Sequence, residues 1–184
     1  MLRGLQRCPA VVALAAACVS LLIGVTTAAA SPTQPRASAA SLTVLEQGVL
    51  ADINAFRVQH KLAPLSLSAS LTTSAREHSQ EMAAQGYFAH ESADGSAFWK
   101  RIQRVYPAGP LRYWSVGENL LWSSPDIDAQ GALQLWIASP EHKANLLTAR
   151  WREIGISAVH VVAAPGTFRG LDVTIVTTDF GVRH

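Results

Sequence analysis

The chain has 184 residues, of which 49% are hydrophobic and 15% charged. That is enough for one packed domain with a short appendage and too apolar for a disordered chain. A formal net charge of only +2 argues against nucleic acid as a partner.

Residues 1–30 have the layout of a secretory signal peptide. Arg3 and Arg7 form a positive start, residues 11–25 an apolar run, and Ala28-Ala29-Ala30 a small-residue cleavage site before Ser31-Pro32. The run is short of the roughly 20 residues that span a bilayer, so no retained membrane span is expected. Cys18 follows small residues, but the apolar run continues past it, which argues against a lipidated cysteine. Cleavage after Ala30 removes Arg3, Arg7, Cys8 and Cys18. Lys plus Arg then falls from 15 to 13 and equals the 13 Asp plus Glu. The exported chain is formally neutral, has no disulfide, and relies on packing for its stability.

Residues 31–40 are small and polar with two prolines and read as a flexible leader. One domain is expected over residues 41–184. Leu45, Val49, Ile53 and Phe56 fall on one helical face, and Pro64 is expected to stop that helix. Ser68 or Ser70 caps a second helix carrying Leu71, Ala75, His78 and Met82, which Gly86 ends. A third, shorter helix carries Phe98, Ile102 and Val105. Residues 113–123 read as a strand. Asp126 or Asp128 starts a helix with Leu133, Trp136 and Ile137. Two strands, residues 154–163 and 171–180, close the chain. Strands adjacent in sequence suggest an antiparallel sheet, and helices with single apolar faces must cover it, which makes a layered α+β domain.

Three stretches stand out for chemistry: Gly86-Tyr87-Phe88-Ala89-His90-Glu91-Ser92, Gly117-Glu118-Asn119-Leu120, and Trp136-Ile137-Ala138-Ser139-Pro140-Glu141-His142. Glu118 lies in an apolar strand, where a carboxylate needs a partner, whether a structural one or a ligand. Ser139-Pro140-Glu141 is the start of a short helix, so Ser139 reads as a cap rather than a nucleophile. No Gly-x-Ser-x-Gly elbow accompanies it. If the segments converge, His90, Glu118 and His142 form a donor set that suits zinc or another divalent metal, although no local metal motif is present. His78 and Glu81, spaced i,i+3, read as a helix-surface or core-edge pair.

Taken together and in this order, these stretches resemble the family of cysteine-rich secretory proteins, antigen five and pathogenesis-related proteins, and most closely its cysteine-free bacterial branch. The resemblance also rests on Ile53-Asn54-Ala55-Phe56-Arg57, Leu62-Ala63-Pro64-Leu65, Asn145-Leu146-Leu147, Glu153-Ile154-Gly155-Ile156 and Thr178-Asp179-Phe180-Gly181. It covers about residues 45–181. It implies a three-layer α-β-α sandwich with a mainly antiparallel central sheet. It also implies a cleft in which His90, Glu118 and His142 match two histidines and one acid. The family's second acid falls at Ser139. A metal held by His90 and His142 would then have Glu118 as a ligand or as a base acting through water.

The expected function is a secreted, extracellular, non-enzymatic binding module. Its ligand would be a lipid, a cell-envelope component or a partner protein, held in a cleft of His90, Glu118, Ser139 and His142. The alternative is a metal-dependent hydrolase of peptide or envelope polymer, with Glu118 as the base. A purely structural hydrogen-bonded network of the same residues is a third reading, compatible with the first.

Overall fold

The computed structural model describes residues 42–110 and 113–184. The signal peptide and leader expected over residues 1–40 lie outside the described residues. The elements, in order, are α1 (Val44–Gln59), β1 (Ser66–Leu67), α2 (Ala69–Gln85), α3 (Phe98–Val105), β2 (Trp114–Ser123), α4 (Ala129–Ala138), α5 (Pro140–Leu146), β3 (Glu153–Val161) and β4 (Val173–Arg183). A single turn of 3₁₀ helix, Gly166–Phe168, lies between the last two strands.

Local chemistry accounts for most element ends. Thr43 and Glu46 close a capping box at the start of α1. That helix ends at Gln59, ahead of Pro64, because Lys61 turns the chain through the left-handed region (φ 60) and Leu62 N donates to the Arg57 carbonyl. Gly86 ends α2 at φ 71, a conformation that glycine adopts without a Cβ penalty. Asp128 caps α4 through Gly131 N, and Ser139 caps α5 through His142 N with Pro140 in the first turn.

The four strands run in the order β1-β3-β4-β2. β4 pairs antiparallel with both β2 and β3, and the short β1 pairs parallel with β3. The sheet is therefore mixed, and antiparallel in all but its two-residue edge. α1, α4 and α5 cover one face, and α2 and α3 cover the other. β4 is central and buried from Val173 to Val182, so its alternation divides the core. Val176, Phe180 and Val182 join Ile53, Trp136 and Trp151 beneath α1 and α4. Val173 and Ile175 join Met82 and Phe168 beneath α2. The domain is α+β in three layers. No helix among the described residues is long and apolar enough to cross a membrane.

Candidate functional site

β2 brings the site together because its side chains alternate between the two layers. Glu118 points to the α2–α3 side and stands opposite Asp179 in the β2–β4 register. Its side chain has 0% exposure, and burying a carboxylate demands a partner. Arg101, on the inner face of α3, supplies it: Nη2 donates to Glu118 Oε2, and Nη1 donates to Ser92 Oγ at 2.9 Å. The other Glu118 oxygen accepts from His90 Nδ1 at 2.8 Å. Both carboxylate oxygens are thus engaged, and His90 is left with Nε2 free.

His90 rides on a loop that α2 holds in place. His78 is fully buried and its Nε2 donates to the Ala89 carbonyl at 2.9 Å. A carbonyl only accepts, so this bond fixes the proton on Nε2. Burial lowers the His78 pKa and favours the neutral ring. Glu81 Oε2 accepts from the Tyr87 hydroxyl at 2.5 Å and from Ala93 N at 3.3 Å. His78 is buried and Glu81 partly exposed, so the pair sits at the core edge, where it holds the two sides of the His90 loop.

α5 carries the opposite wall. Asn119 Nδ2 donates to the His142 carbonyl at 3.1 Å. Asn145 Nδ2 is shared between the Glu118 carbonyl at 3.2 Å and Asn119 Oδ1 at 2.9 Å. These bonds tie α5 to β2 and set the width of an open cleft of about 470 Å³. His90, Phe98, Glu118, Glu141, His142 and Asn145 line it. Three of the four expected cleft residues therefore meet, and Ser139 does not line the cleft. It sits at the α4–α5 junction, where its hydroxyl donates to Glu141 Oε2 at 3.3 Å. Glu141 brings a carboxylate into the cleft two residues beyond the position where the family's second acid falls.

The two imidazoles are tuned in opposite directions. The hydrogen bond to Glu118 raises the pKa of His90 against the opposing effect of burial. Burial, and then the neighbouring His90, lowers the pKa of His142. His142 thus favours a neutral acceptor and His90 a cationic donor. Behind them Asp179 is fully buried and neither of its oxygens meets a donor. Burial, followed by the charge of Glu118, raises its pKa well above the ordinary carboxyl range.

His90, Glu118 and His142 are not arranged as a three-ligand metal site. Among the described residues no group of three or more His, Cys, Asp or Glu side chains is arranged to hold a metal. Glu118 is bonded to Arg101 and His90, which leaves the imidazoles of His90 and His142 and the Glu141 carboxylate as the free donors of the cleft.

Arg101, Asn119, Glu141, Asn145 and Asp179 were not singled out as site residues from the sequence. Asn119 and Asn145 fall inside quoted stretches, but nothing local marks them as the links between walls.

The CAP family description, cysteine-rich secretory protein family, matches residues 50–167 of the chain. The Bacillus subtilis protein YkwD, itself uncharacterized, is 30% identical over 120 residues, covering 65% of this chain and 44% of that protein. The chain spans less than half the length of the curated relatives it matches. Among solved structures, an extracellular protein containing an SCP domain from Bacillus anthracis aligns with a TM-score of 0.56 at 25% identity, covering 76% of this chain and 40% of that one. An outer surface protein of Borrelia burgdorferi shares the fold at a TM-score of 0.56 and 19% identity, over 75% of this chain and 92% of that one.

Proposed function

This chain belongs to the cysteine-rich secretory protein (CAP) family, and from that premise we propose that it is an exported binding module that holds its ligand in the cleft of His90, Glu118 and His142. In this reading residues 1–30 are the export signal, residues 31–40 a leader, and residues 41–184 the working domain. The ligand is an envelope component, a lipid or a partner protein. One observation carries the proposal. The cleft is open, yet no Ser, Thr, Cys or Lys nucleophile lines it, and both oxygens of its buried carboxylate are already bonded to Arg101 and His90. What remains is a recognition surface: a free Nε2 on His90, a neutral imidazole, an exposed carboxylate at Glu141, and the ring of Phe98. The test follows the ring resonances of His90 and His142 while envelope lipids, glycans and peptides are added in turn. The expected result is a saturable shift with one ligand class, no turnover, and loss of binding in the His90→Ala, His142→Ala variant with the fold intact. Binding that persists in that variant would place the ligand elsewhere.

A second reading is a hydrolase of peptide or envelope polymer. The opposed tuning of His90 and His142 favours it, because two titratable groups pushed apart are the makings of an acid–base pair. Product release that survives a chelator and vanishes in the same double variant would establish it over the binding module.

A further inference from the structure

A second depression lies beside the cleft, between α2 and α3. It encloses about 850 Å³, at the upper end of the roughly 300–1,000 Å³ typical of ligand sites. One wall is the α2 stripe Glu77, Glu81 and Gln85, spaced four residues apart. The other is the α3 group Lys100, Arg101 and Arg104, and residues 92–96 close one end. Its only apolar lining residue is Ala93, which leaves no wall for an acyl chain.

The groove mixes charges of both signs. Three acids, counting Asp94, face three bases. Arg104 is paired with Glu77, Arg101 is bonded to Glu118 and Ser92, and Glu81 holds the loop through Tyr87 and Ala93. A polyanion or a polycation would meet repulsion as well as attraction. The groove still presents the remaining lone pairs and N–H groups of these side chains, together with the Gln85 amide. That is a surface for a ligand rich in hydroxyl and amide groups and carrying no net charge.

An exposed aromatic ring lies on α3 next to the groove-lining Lys100. Trp99 is 40% exposed, a high value for so large an apolar side chain. The Lys100 amine, which lines the groove, sits 5.7 Å from the centroid of that ring. An exposed ring face beside convergent polar groups suits the stacking of a pyranose C–H face with its hydroxyls turned inward.

We propose that the α2–α3 groove binds a neutral oligosaccharide, with Trp99 as the stacking platform and Gln85, Lys100 and Asp94 as hydrogen-bonding partners. The inference rests on the reading of the domain as an exported binder, but it uses a different surface from the cleft. Arg101 links the two, since it lines the groove and holds Glu118 on the cleft side.

The experiment titrates the purified protein with three neutral tetrasaccharides, built of N-acetylglucosamine, glucose and mannose, while the Trp99 indole and the rings of His90 and His142 are followed by NMR. A sulfated oligosaccharide and phosphatidylglycerol vesicles serve as competing probes. The expected result is a saturable shift of the Trp99 indole with at least one neutral sugar. Trp99→Ala should weaken that binding about tenfold, and His90→Ala with His142→Ala should leave it unchanged. Gln85→Ala, on the exposed side of α2, gives an independent loss of affinity without touching the core. The proposal is overturned if no neutral sugar binds, if Trp99→Ala binds as well as wild type, or if only the sulfated sugar or the vesicles bind. Sugar binding lost in the double histidine variant and kept in Trp99→Ala also overturns it, and moves the glycan into the cleft with the binding-module reading intact.

Discussion

The guanidinium of Arg101 is the cation on which the buried half of the cleft depends. Its side chain is 4% exposed and that of Glu118 is 0% exposed, and Glu118 faces a second carboxyl, Asp179, across the β2–β4 pairing. Arg101→Met keeps the length and apolar stem of the side chain and removes only its charge and donors. Glu118 is then left in the core beside Asp179 with one hydrogen bond, from the half-exposed His90. Removing one partner of a buried pair costs about 3–5 kcal/mol, whereas an exposed pair is worth under about 1 kcal/mol. For a domain of this size, each kcal/mol moves Tm by roughly 2–4 °C, so the variant should melt roughly 6–20 °C below wild type. Urea unfolding gives the free energy directly, and an unchanged slope against denaturant shows that the same folded state is being compared. Adding Glu118→Gln should return about 2 kcal/mol of the loss, because the pair then lacks the charge that needed Arg101. A single variant within about 1 kcal/mol of wild type, with no recovery in the double variant, would refute the reasoning and make the contact incidental.

The histidines should titrate on opposite sides of the ordinary imidazole value in an NMR pH series. His90 lies above it, because Glu118 favours the imidazolium, so its stabilising contribution is complete below the ordinary value and is lost as pH rises through the folded one. His142 lies below it, because burial disfavours the charge, so its contribution is complete above the ordinary value and fades as pH falls. Glu118→Gln should bring His90 down, and two rings moving in the same direction would contradict the site geometry. Asp179 holds its proton above the ordinary carboxyl range, so wild type should lose stability as pH climbs out of that range. Asp179→Asn should lack that slope in urea unfolding at stepped pH, and parallel profiles would sink the idea. Gly155→Ala would put a Cβ 2.0 Å from the Leu71 carbonyl carbon and 2.2 Å from Thr72 N. Both are backbone atoms that cannot swing aside, so α2 must move off β3. A loss of at least the roughly 1–3 kcal/mol typical of overpacking is expected by thermal or urea unfolding, and a neutral result would mean that the helix is free to slide.

Much of the architecture was legible because most helix ends carry local punctuation, although Ser68 begins α2 without a side-chain cap bond and α3 follows Ala97, which has none. The α1 periodicity, the Gly86 stop, the Asp128 cap and the Ser139-Pro140 start all act within a few residues, and local chemistry decides them. β1 was not legible. Two residues show no alternation, and what makes them a strand is Ser66 and Leu67 meeting Glu153 and Ile154, a partner that only the folded chain brings near. The sheet's one parallel pairing was hidden for the same reason. The 78–81 pair was legible as a helix neighbour pair, but whether it faced the core depended on the His90 loop folding over it.

The cleft divides along the same line. His90, Glu118 and His142 could be named from residue type and order, but what Glu118 does depends on Arg101, 17 residues earlier on another element. The signal that would have joined them is a pair of mismatches. Arg101 lies three residues after Phe98 and next to Ile102, so it falls on the apolar side of its short helix, where a cation needs an acid. Glu118 lies in an apolar strand, where an acid needs a cation. Each looks like an exception alone, and together they are complementary. Asp179 carries the same lesson further: a carboxyl in the run Val173–Val182, buried on both faces, has no local justification. Its place opposite Glu118 makes the two acids one electrostatic unit with Arg101, and that unit holds His90 Nδ1 and leaves Nε2 free.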